Sequence, residues 1–133
     1  MPTTTKTDTI KEMYAAFGRG DLKGLLSHVD ANCTWESTGP KELPWAGAYR
    51  GHDGISRFFG EIEKSAEMLA FEPRTFIEQD NMVVALGHEK VRSKRTNRTY
   101  DSDWAHAFTL SNGKVVAFRE YGDTAAAMKA FGG

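Results

Sequence analysis

One histidine and one arginine near the end of the chain are framed by aromatic residues, a pattern typical of a pocket wall. His106 lies between Trp104 and Phe108, and Tyr121 follows Arg119 by two positions. An imidazole can donate or accept a proton near neutral pH, and a guanidinium offers several hydrogen-bond donors to a ligand oxygen. These residues therefore predict acid–base chemistry in an aromatic pocket. A core histidine satisfied by Arg119 or by a neighbouring strand is the alternative.

The Asn-Gly pair at 112–113 predicts the register that would bring these residues together. It lies between two runs rich in aromatic and β-branched residues, as in a two-residue type I′ hairpin. Counting outward from such a turn pairs His106 with Arg119 and Trp104 with Tyr121. One predicted face carries Trp104, His106, Phe108, Arg119 and Tyr121, and the other carries Ala105, Ala107, Thr109, Val116 and Phe118.

Glu89 is a candidate partner for the histidine on the preceding strand. If residues 96–97 form a two-residue turn, Glu89 pairs with Trp104 and lies diagonal to His106. A carboxylate there could set the tautomer and the pKa of the imidazole. An exposed glutamate paired with a basic neighbour is the alternative.

Asp123 and Tyr14 are further candidates, each with a structural alternative. Asp123 shares the predicted face of Arg119, but it also precedes a good helix start, and we favour an N-cap role for it. Tyr14 lies on the apolar stripe of the first predicted helix and could anchor a ligand oxygen. A core tyrosine whose hydroxyl is satisfied is the favoured interpretation.

The composition predicts one domain, residues 1–133, with a core that needs neither metal nor disulfide. The net charge of -1 gives no reason to bind nucleic acid or an anionic membrane. Cys33 is the only cysteine, which favours the cytoplasm, and no signal or membrane-spanning run is present. Because His28, His52 and His88 lack metal-ligand spacing, we predict no metal and no cofactor.

The positions of the elements follow from periodicity and capping signals. Helices are predicted after caps at Thr9, Asp21 and Asp53, a strand over 32–37, and four long strands in the second half, with residues 1–7 frayed. Strands segregated from helices imply an α+β domain in which the helices pack on one face of a curved antiparallel sheet. One hairpin tip is basic and is predicted to be solvated rather than to bind nucleic acid; it comprises Arg92, Lys94, Arg95 and Arg98.

Five short strings lie at residues 17–22, 33–36, 49–59, 112–115 and 121–123. In their order and spacing they resemble the SnoaL-like branch of the NTF2-like superfamily, which includes ketosteroid isomerases, polyketide cyclases and limonene epoxide hydrolases. The resemblance implies a cone-shaped α+β barrel with a deep apolar pocket between the helices and the concave sheet face. It also implies a homodimer formed through the outer sheet face. The resemblance spans roughly residues 8–130.

The resemblance also implies roles for individual residues. His106 takes the strand position at which ketosteroid isomerases hold a protonated aspartate that donates to the substrate oxyanion. Ser37 takes the position of the isomerase general base, and because serine without an adjacent base accepts a proton poorly, a true steroid isomerase is disfavoured. Tyr14 lies close to the oxyanion tyrosine of the isomerases, and Asp123 resembles the last-strand acid of polyketide cyclases.

The predicted function is to bind a small hydrophobic or aromatic carbonyl compound, with isomerase, cyclase or hydratase chemistry that needs no cofactor. A non-catalytic ligand-binding or dimerisation module is the alternative, and the sequence leaves open whether the protein is an enzyme. Epoxide hydrolysis would need an Asp-Arg-Asp cluster, of which Arg119 and Asp123 supply at most two members. The predicted ligand-binding residues are Trp35, Ser37, Trp45, Tyr49, Phe58, Phe59, Trp104, Phe108 and Tyr121.

Overall fold

The computed structural model describes residues 5–132, which form four helices and one six-stranded sheet. No helix in this range is both long and apolar enough to cross a membrane. The elements are α1 (Lys6–Gly18), α2 (Leu22–Leu26), β1 (Val29–Ser37), β2 (Gly47–Arg50), α3 (Gly51–Ser65), β3 (Ala66–Gln79), β4 (Met82–Ser93), β5 (Thr99–Ser111), β6 (Lys114–Tyr121) and α4 (Thr124–Phe131).

The sheet has the order β2-β1-β6-β5-β4-β3, and the helices pack on its inner face. The α+β class is confirmed. The sheet is mixed rather than purely antiparallel, because β1 runs parallel to β6. This pairing places Ser37 beside Glu120 in register, so the first and last strands contribute neighbouring polar groups to the same end of the sheet.

The helix starts agree with the sequence at α2 and α4 but not at α1 and α3. Helix α3 begins at Gly51 after Arg50, so Asp53 lies in its first turn and does not cap it. Asp21 and Asp123 cap α2 and α4 by accepting from the backbone N–H of Gly24 and Ala126. At α1 the reciprocal capping box is formed by Thr5 and Asp8, so the helix begins several residues before Thr9. Of the predicted frayed segment, residues 6–7 are therefore helical, and residues 1–4 lie outside the described part of the chain.

A β-bulge separates the predicted from the observed register of β5 and β6. The turn at 112–113 and the first two residue pairs beyond it agree with the prediction. Val116 is then an extra residue, because Thr109 pairs with Ala117. Such an insertion shifts every later pair by one position and reverses the face on which each side chain lies.

The bulge overturns the predicted faces of β6. His106 pairs with Glu120 rather than with Arg119, and Ala105 pairs with Tyr121. Phe118 and Glu120 therefore lie on the inner face of the sheet. The predictions that Arg119 and Tyr121 share the face of His106 are wrong.

The basic hairpin tip anchors helix ends. Lys94 donates to a backbone carbonyl near the end of α3. Arg95 and Arg98 donate to the carbonyls of Phe131 and Lys129 in the last turn of α4. Because cations at helix C-termini satisfy free carbonyls and complement the helix dipole, this cluster has a structural role that the prediction of a solvated tip missed.

Candidate active site

A cavity of about 80 Å³ lies between α1, α2, α3 and the inner face of the sheet. Its wall is mostly aromatic and aliphatic, as expected for a small-molecule site. Five titratable residues interrupt that apolar wall: Tyr14, Glu89, Tyr100, His106 and Glu120. Of the predicted ligand-binding residues, the cavity wall contains Trp35, Trp45, Phe58, Phe59 and Phe108.

The remaining predicted ligand-binding residues support the wall or lie outside it. Tyr49 packs edge-on against Phe58 and donates its hydroxyl hydrogen to the carbonyl of Trp45 at 3.0 Å. Ser37 is buried beneath Glu120. The prediction for Tyr121 is wrong: it is 46% exposed and lies on the outer face.

A chain of hydrogen bonds links four side chains at the wall of the cavity. The Tyr14 hydroxyl oxygen lies 2.7 Å from His106 Nδ1. On the other side of the ring, His106 Nε2 lies 3.3 Å from Glu120 Oε2. Ser37 Oγ donates to Glu120 Oε1 at 2.6 Å. Helix α1 supplies the first member, β5 the second, and the parallel pair β6–β1 the last two.

The charge of Glu120 sets the direction of these hydrogen bonds. A carboxylate only accepts, so His106 carries a proton on Nε2 and donates to Glu120. In the neutral imidazole, Nδ1 is then the acceptor for the hydroxyl of Tyr14. In the imidazolium, Nδ1–H donates to the tyrosine oxygen, and the O–H of Tyr14 is free to donate to a ligand.

The surroundings hold Glu120 ionised and Tyr14 neutral. Burial alone would raise the pKa of Glu120, but the hydrogen bond and charge of His106 and the hydrogen bond of Ser37 outweigh it and lower that pKa. Burial, and then the charge of Glu120, raises the pKa of Tyr14 far above its ordinary value. Tyr14 therefore contributes a neutral O–H group.

Glu89 also faces the cavity, but in a different state. Burial, and secondarily the charge of Glu120, raises the pKa of Glu89 to about 8. Two carboxyl groups at one site with pKa values moved apart are typical of acid–base catalysts. The predicted pairing of Glu89 with Trp104 is wrong, since Glu89 pairs with Ser102. The shift is by two positions, so the face of Glu89 is unchanged.

Trp104 fixes the plane of the histidine from behind. Its ring stacks on that of His106, with centroids 4.0 Å apart and an interplanar angle of 16°. Gly87, opposite Trp104 on β4, makes room for the indole, because a Cβ there would lie 2.3 Å from Trp104 Cζ2. The stack and the two ring hydrogen bonds leave His106 little freedom to rotate.

Two predicted catalytic residues lie away from this chain. Arg119 is on the outer face, where Nη1 lies 3.5 Å from Glu36 Oε1 and the guanidinium stands 5.3 Å from the ring centroid of Tyr121. The prediction that it lines the cavity is wrong, because the bulge reverses its face. Asp123 is exposed and accepts from Ala126 N at 2.9 Å as the cap of α4.

Glu120 is the site residue that the sequence did not reveal. The sequence of β6 is compatible with either alternate set of side chains facing inward, and no glycine marks the bulge at Val116. The usable signal is Phe118, since a large aromatic residue favours the core, and Glu120 shares its parity. Among residues 5–132, no group of three or more His, Cys, Asp or Glu side chains is arranged to hold a metal ion.

Comparisons with known proteins agree with this fold. A family model for the SnoaL-like domain matches residues 10–118. An NTF2-like protein from Burkholderia xenovorans is 36% identical, with a TM-score of 0.88 and 98% of each chain covered. TerC, co-crystallised with polyporic acid, is 28% identical, with a TM-score of 0.87 and 96% of this chain and 98% of TerC covered. An uncharacterized protein of Mycobacterium tuberculosis is 25% identical over 126 residues, 93% of each chain. The chain is therefore a member of the SnoaL-like family, with an NTF2-like fold.

Proposed function

We propose that this protein binds a small hydrophobic carbonyl compound in its aromatic cavity and moves protons on it by acid–base catalysis. The observation that carries this proposal is the chain Tyr14–His106–Glu120, in which a neutral hydroxyl, an imidazole and a carboxylate lie in hydrogen-bond order at an apolar wall. The order matches the general arrangement in which a carboxylate orients a histidine that serves a hydroxyl group.

Two properties of the cavity support a carbonyl ligand. The wall is aromatic, and no lysine or arginine of residues 5–132 lines it, which disfavours ligands that carry a buried anionic group. With His106 protonated, the O–H of Tyr14 is a donor that a ligand oxygen can accept from. TerC, the 28% identical relative, was crystallised with a small organic compound, which supports a small-molecule ligand here.

Proton transfer follows from the two states of the histidine. With neutral His106, Tyr14 accepts a proton from a carbon next to the carbonyl while its own proton passes to Nδ1, and Glu120 stabilises the imidazolium that forms. With the imidazolium, Tyr14 donates to the carbonyl oxygen and is reprotonated from Nδ1. Isomerisation and cyclisation both use these steps.

Ser37 supports this assignment by occupying the position at which ketosteroid isomerases carry a general base. Its hydroxyl donates to Glu120, so it positions the carboxylate instead of accepting a proton. The acid–base work therefore falls to the Tyr14–His106–Glu120 chain, and steroid isomerisation by the usual carboxylate base is disfavoured.

Hydrogen–deuterium exchange tests the proposal directly. The protein is incubated in D2O with 4-phenylbutan-2-one and related aromatic ketones, and α-deuteration is followed by NMR. We expect exchange above background that falls by about 10²-fold or more in His106→Gln and Tyr14→Phe. His88→Gln, which changes a histidine paired with Asp101 and Asp103 outside the cavity, is the matched control.

Ligand binding is measured separately by thermal shift with the same ketones and with polyporic acid. Stabilisation by a ketone without exchange above background would contradict acid–base catalysis and identify a ligand-binding module of the same fold. The orientation of Glu89 and Glu120 toward the cavity supports catalysis over that alternative.

A further inference from the structure

A second, smaller cavity lies on the side of the site that faces α4. Its volume is about 30 Å³, which is room for two or three water molecules at roughly 10–15 Å³ each. The segment after β1, the ends of β5 and β6, and the start of α4 enclose it, through residues that include Thr38, Ser102, Gly122 and Thr124. Three hydroxyl side chains therefore belong to a wall that also contains Leu43, Trp45, Tyr100, Trp104 and Ala127. This wall is mixed, and it is more polar than the aromatic wall of the larger cavity.

Glu89 and Glu120 line both cavities. The two carboxyl groups therefore stand at the boundary between a largely apolar space and a more polar one. The mechanism proposed above uses Glu120 but leaves Glu89 without a role.

Two polar groups at this boundary lack a protein partner. Glu89 makes no hydrogen bond within residues 5–132, and only burial and nearby charges shift its pKa. Trp104 lines the smaller cavity and is 4% exposed, and its indole N–H has no hydrogen-bond partner in the same part of the chain. Buried polar groups in proteins are normally hydrogen-bonded, and ordered water is a common partner where the protein offers none.

We propose that the smaller cavity is a water site that delivers water to Glu89 as the second reactant, while the organic ligand occupies the aromatic cavity. This inference rests on the proposed function, which it deepens: the reactions served are those that add water to, or remove it from, a bound carbonyl compound. Water and organic ligand reach the acid–base groups from opposite sides.

The proton transfers balance for addition of water to the carbonyl carbon. The water oxygen forms a bond to that carbon while one water proton passes to Glu89 in its ionised form, which predominates above about pH 8. The π electrons of the carbonyl move to its oxygen, which takes a proton from Tyr14, and the imidazolium of His106 reprotonates Tyr14. Loss of water from the adduct follows the same proton transfers in reverse and returns the water molecule to the smaller cavity.

Two isotope labels on one ketone separate this inference from the proposed function. With 4-phenylbutan-2-one, deuterium entering the α-carbon from D2O reports the Tyr14–His106–Glu120 chain. Oxygen-18 entering the carbonyl from H2¹⁸O, followed by mass spectrometry, reports water addition. We expect Gly122→Leu to lower oxygen exchange at least tenfold and to leave α-exchange within about twofold.

The choice of Gly122 follows from its surroundings. It lines the smaller cavity, its φ is not positive, and a Cβ there would meet Ser102 Oγ at an ordinary 3.5 Å, so the backbone accepts a side chain at this position. Gly60→Leu is the matched control, because Gly60 is exposed on α3 and a Cβ there meets nothing within 4 Å.

A readout without turnover keeps the inference testable in the wild-type protein. A high-resolution crystal structure is expected to show ordered water on the carboxyl group of Glu89, and NMR a water NOE to the indole proton of Trp104 that Gly122→Leu abolishes. A dry cavity without the NOE, or oxygen exchange unaffected by Gly122→Leu, would overturn the water site even if α-exchange persists. Ordered water with oxygen exchange but no α-exchange would overturn the proposed proton chain alone.

Discussion

His106 and Glu120 are direct partners across β5 and β6, and their side chains meet at 3.3 Å on the inner face of the sheet. Since the tyrosine hydroxyl lies on the opposite nitrogen of the ring, the carboxylate determines which nitrogen exchanges protons with Tyr14. The identity of residue 120 therefore controls what the histidine can do.

We expect Glu120→Gln to lower α-proton exchange by about 10²- to 10³-fold. The amide can donate to Nε2, which places the imidazole proton on Nδ1 and removes the acceptor for Tyr14. Glu36→Gln is the matched control, since Glu36 lies on the neighbouring strand and pairs with Arg119 outside the cavity. Equal activity of Glu120→Gln and wild type would exclude Glu120 from the mechanism.

The titration of Glu89 is expected to lower the free energy of unfolding as the pH rises. Its pKa is about 8 in the folded protein against an ordinary value of 4.5, so the folded state binds the proton more tightly. The stabilisation is complete below pH 4.5 and is lost as the pH rises through 8. At about 1.4 kcal/mol per unit of pKa shift, the loss is on the order of a few kcal/mol.

Urea unfolding between pH 5 and pH 9 measures this effect. We expect Glu89→Gln to have a flatter stability profile than the wild type and to be the more stable of the two at pH 9. Glu63→Gln, on the exposed side of α3, serves as the control and should follow the wild-type profile. A parallel profile for Glu89→Gln would show that the carboxyl group titrates normally.

Asp123 is expected to act through folding alone. Asp123→Ala removes the cap of α4 and should cost about 1 kcal/mol in the free energy of unfolding, whereas Asp123→Asn keeps a capping oxygen and should cost less. Neither variant should change α-proton exchange more than about twofold. A loss of exchange without a loss of stability in Asp123→Asn would instead favour the cyclase-like acid.

The outer sheet face is proposed to pair with a second copy of the chain. It exposes Ile77, Met82, Leu86 and Tyr121 next to the oppositely charged Arg119 and Glu36, so the face is complementary to itself. Light scattering after size exclusion should give a dimer for the wild type and a monomer for Leu86→Glu. Ala125→Glu, exposed on α4, should remain dimeric, and a monomeric wild type at micromolar concentration would contradict the proposal.

Local signals in the sequence were sufficient for most of the fold. The caps at Asp21 and Asp123 and the turn at 112–113 depend on residues within a few positions of one another, so they could be predicted. The sequence also predicts that His106 and Glu89 share one face of the sheet, and both line the cavity. The observed β4–β5 register differs from the predicted one by two residues, and a shift of two residues keeps each side chain on the predicted face.

The rest depended on packing that no local signal records. Val116 carries no sign that it is unpaired, and the extra residue lets Phe118 stack on Trp35, with ring centroids 3.9 Å apart. Counting from the turn therefore predicts the wrong face for Arg119 and for Phe118. The parallel contact of β1 with β6, which brings Ser37 to Glu120, joins segments far apart in sequence and was equally hidden.

The unpaired Val116 decides which side chains of β6 face the cavity and which face outward. Losing one codon between the turn and Phe118 would turn the guanidinium inward and the carboxylate outward without replacing either residue. Relatives of this chain could therefore diverge in chemistry through a single-residue gap, and alignments of the family should be compared at that gap before residues are matched by type.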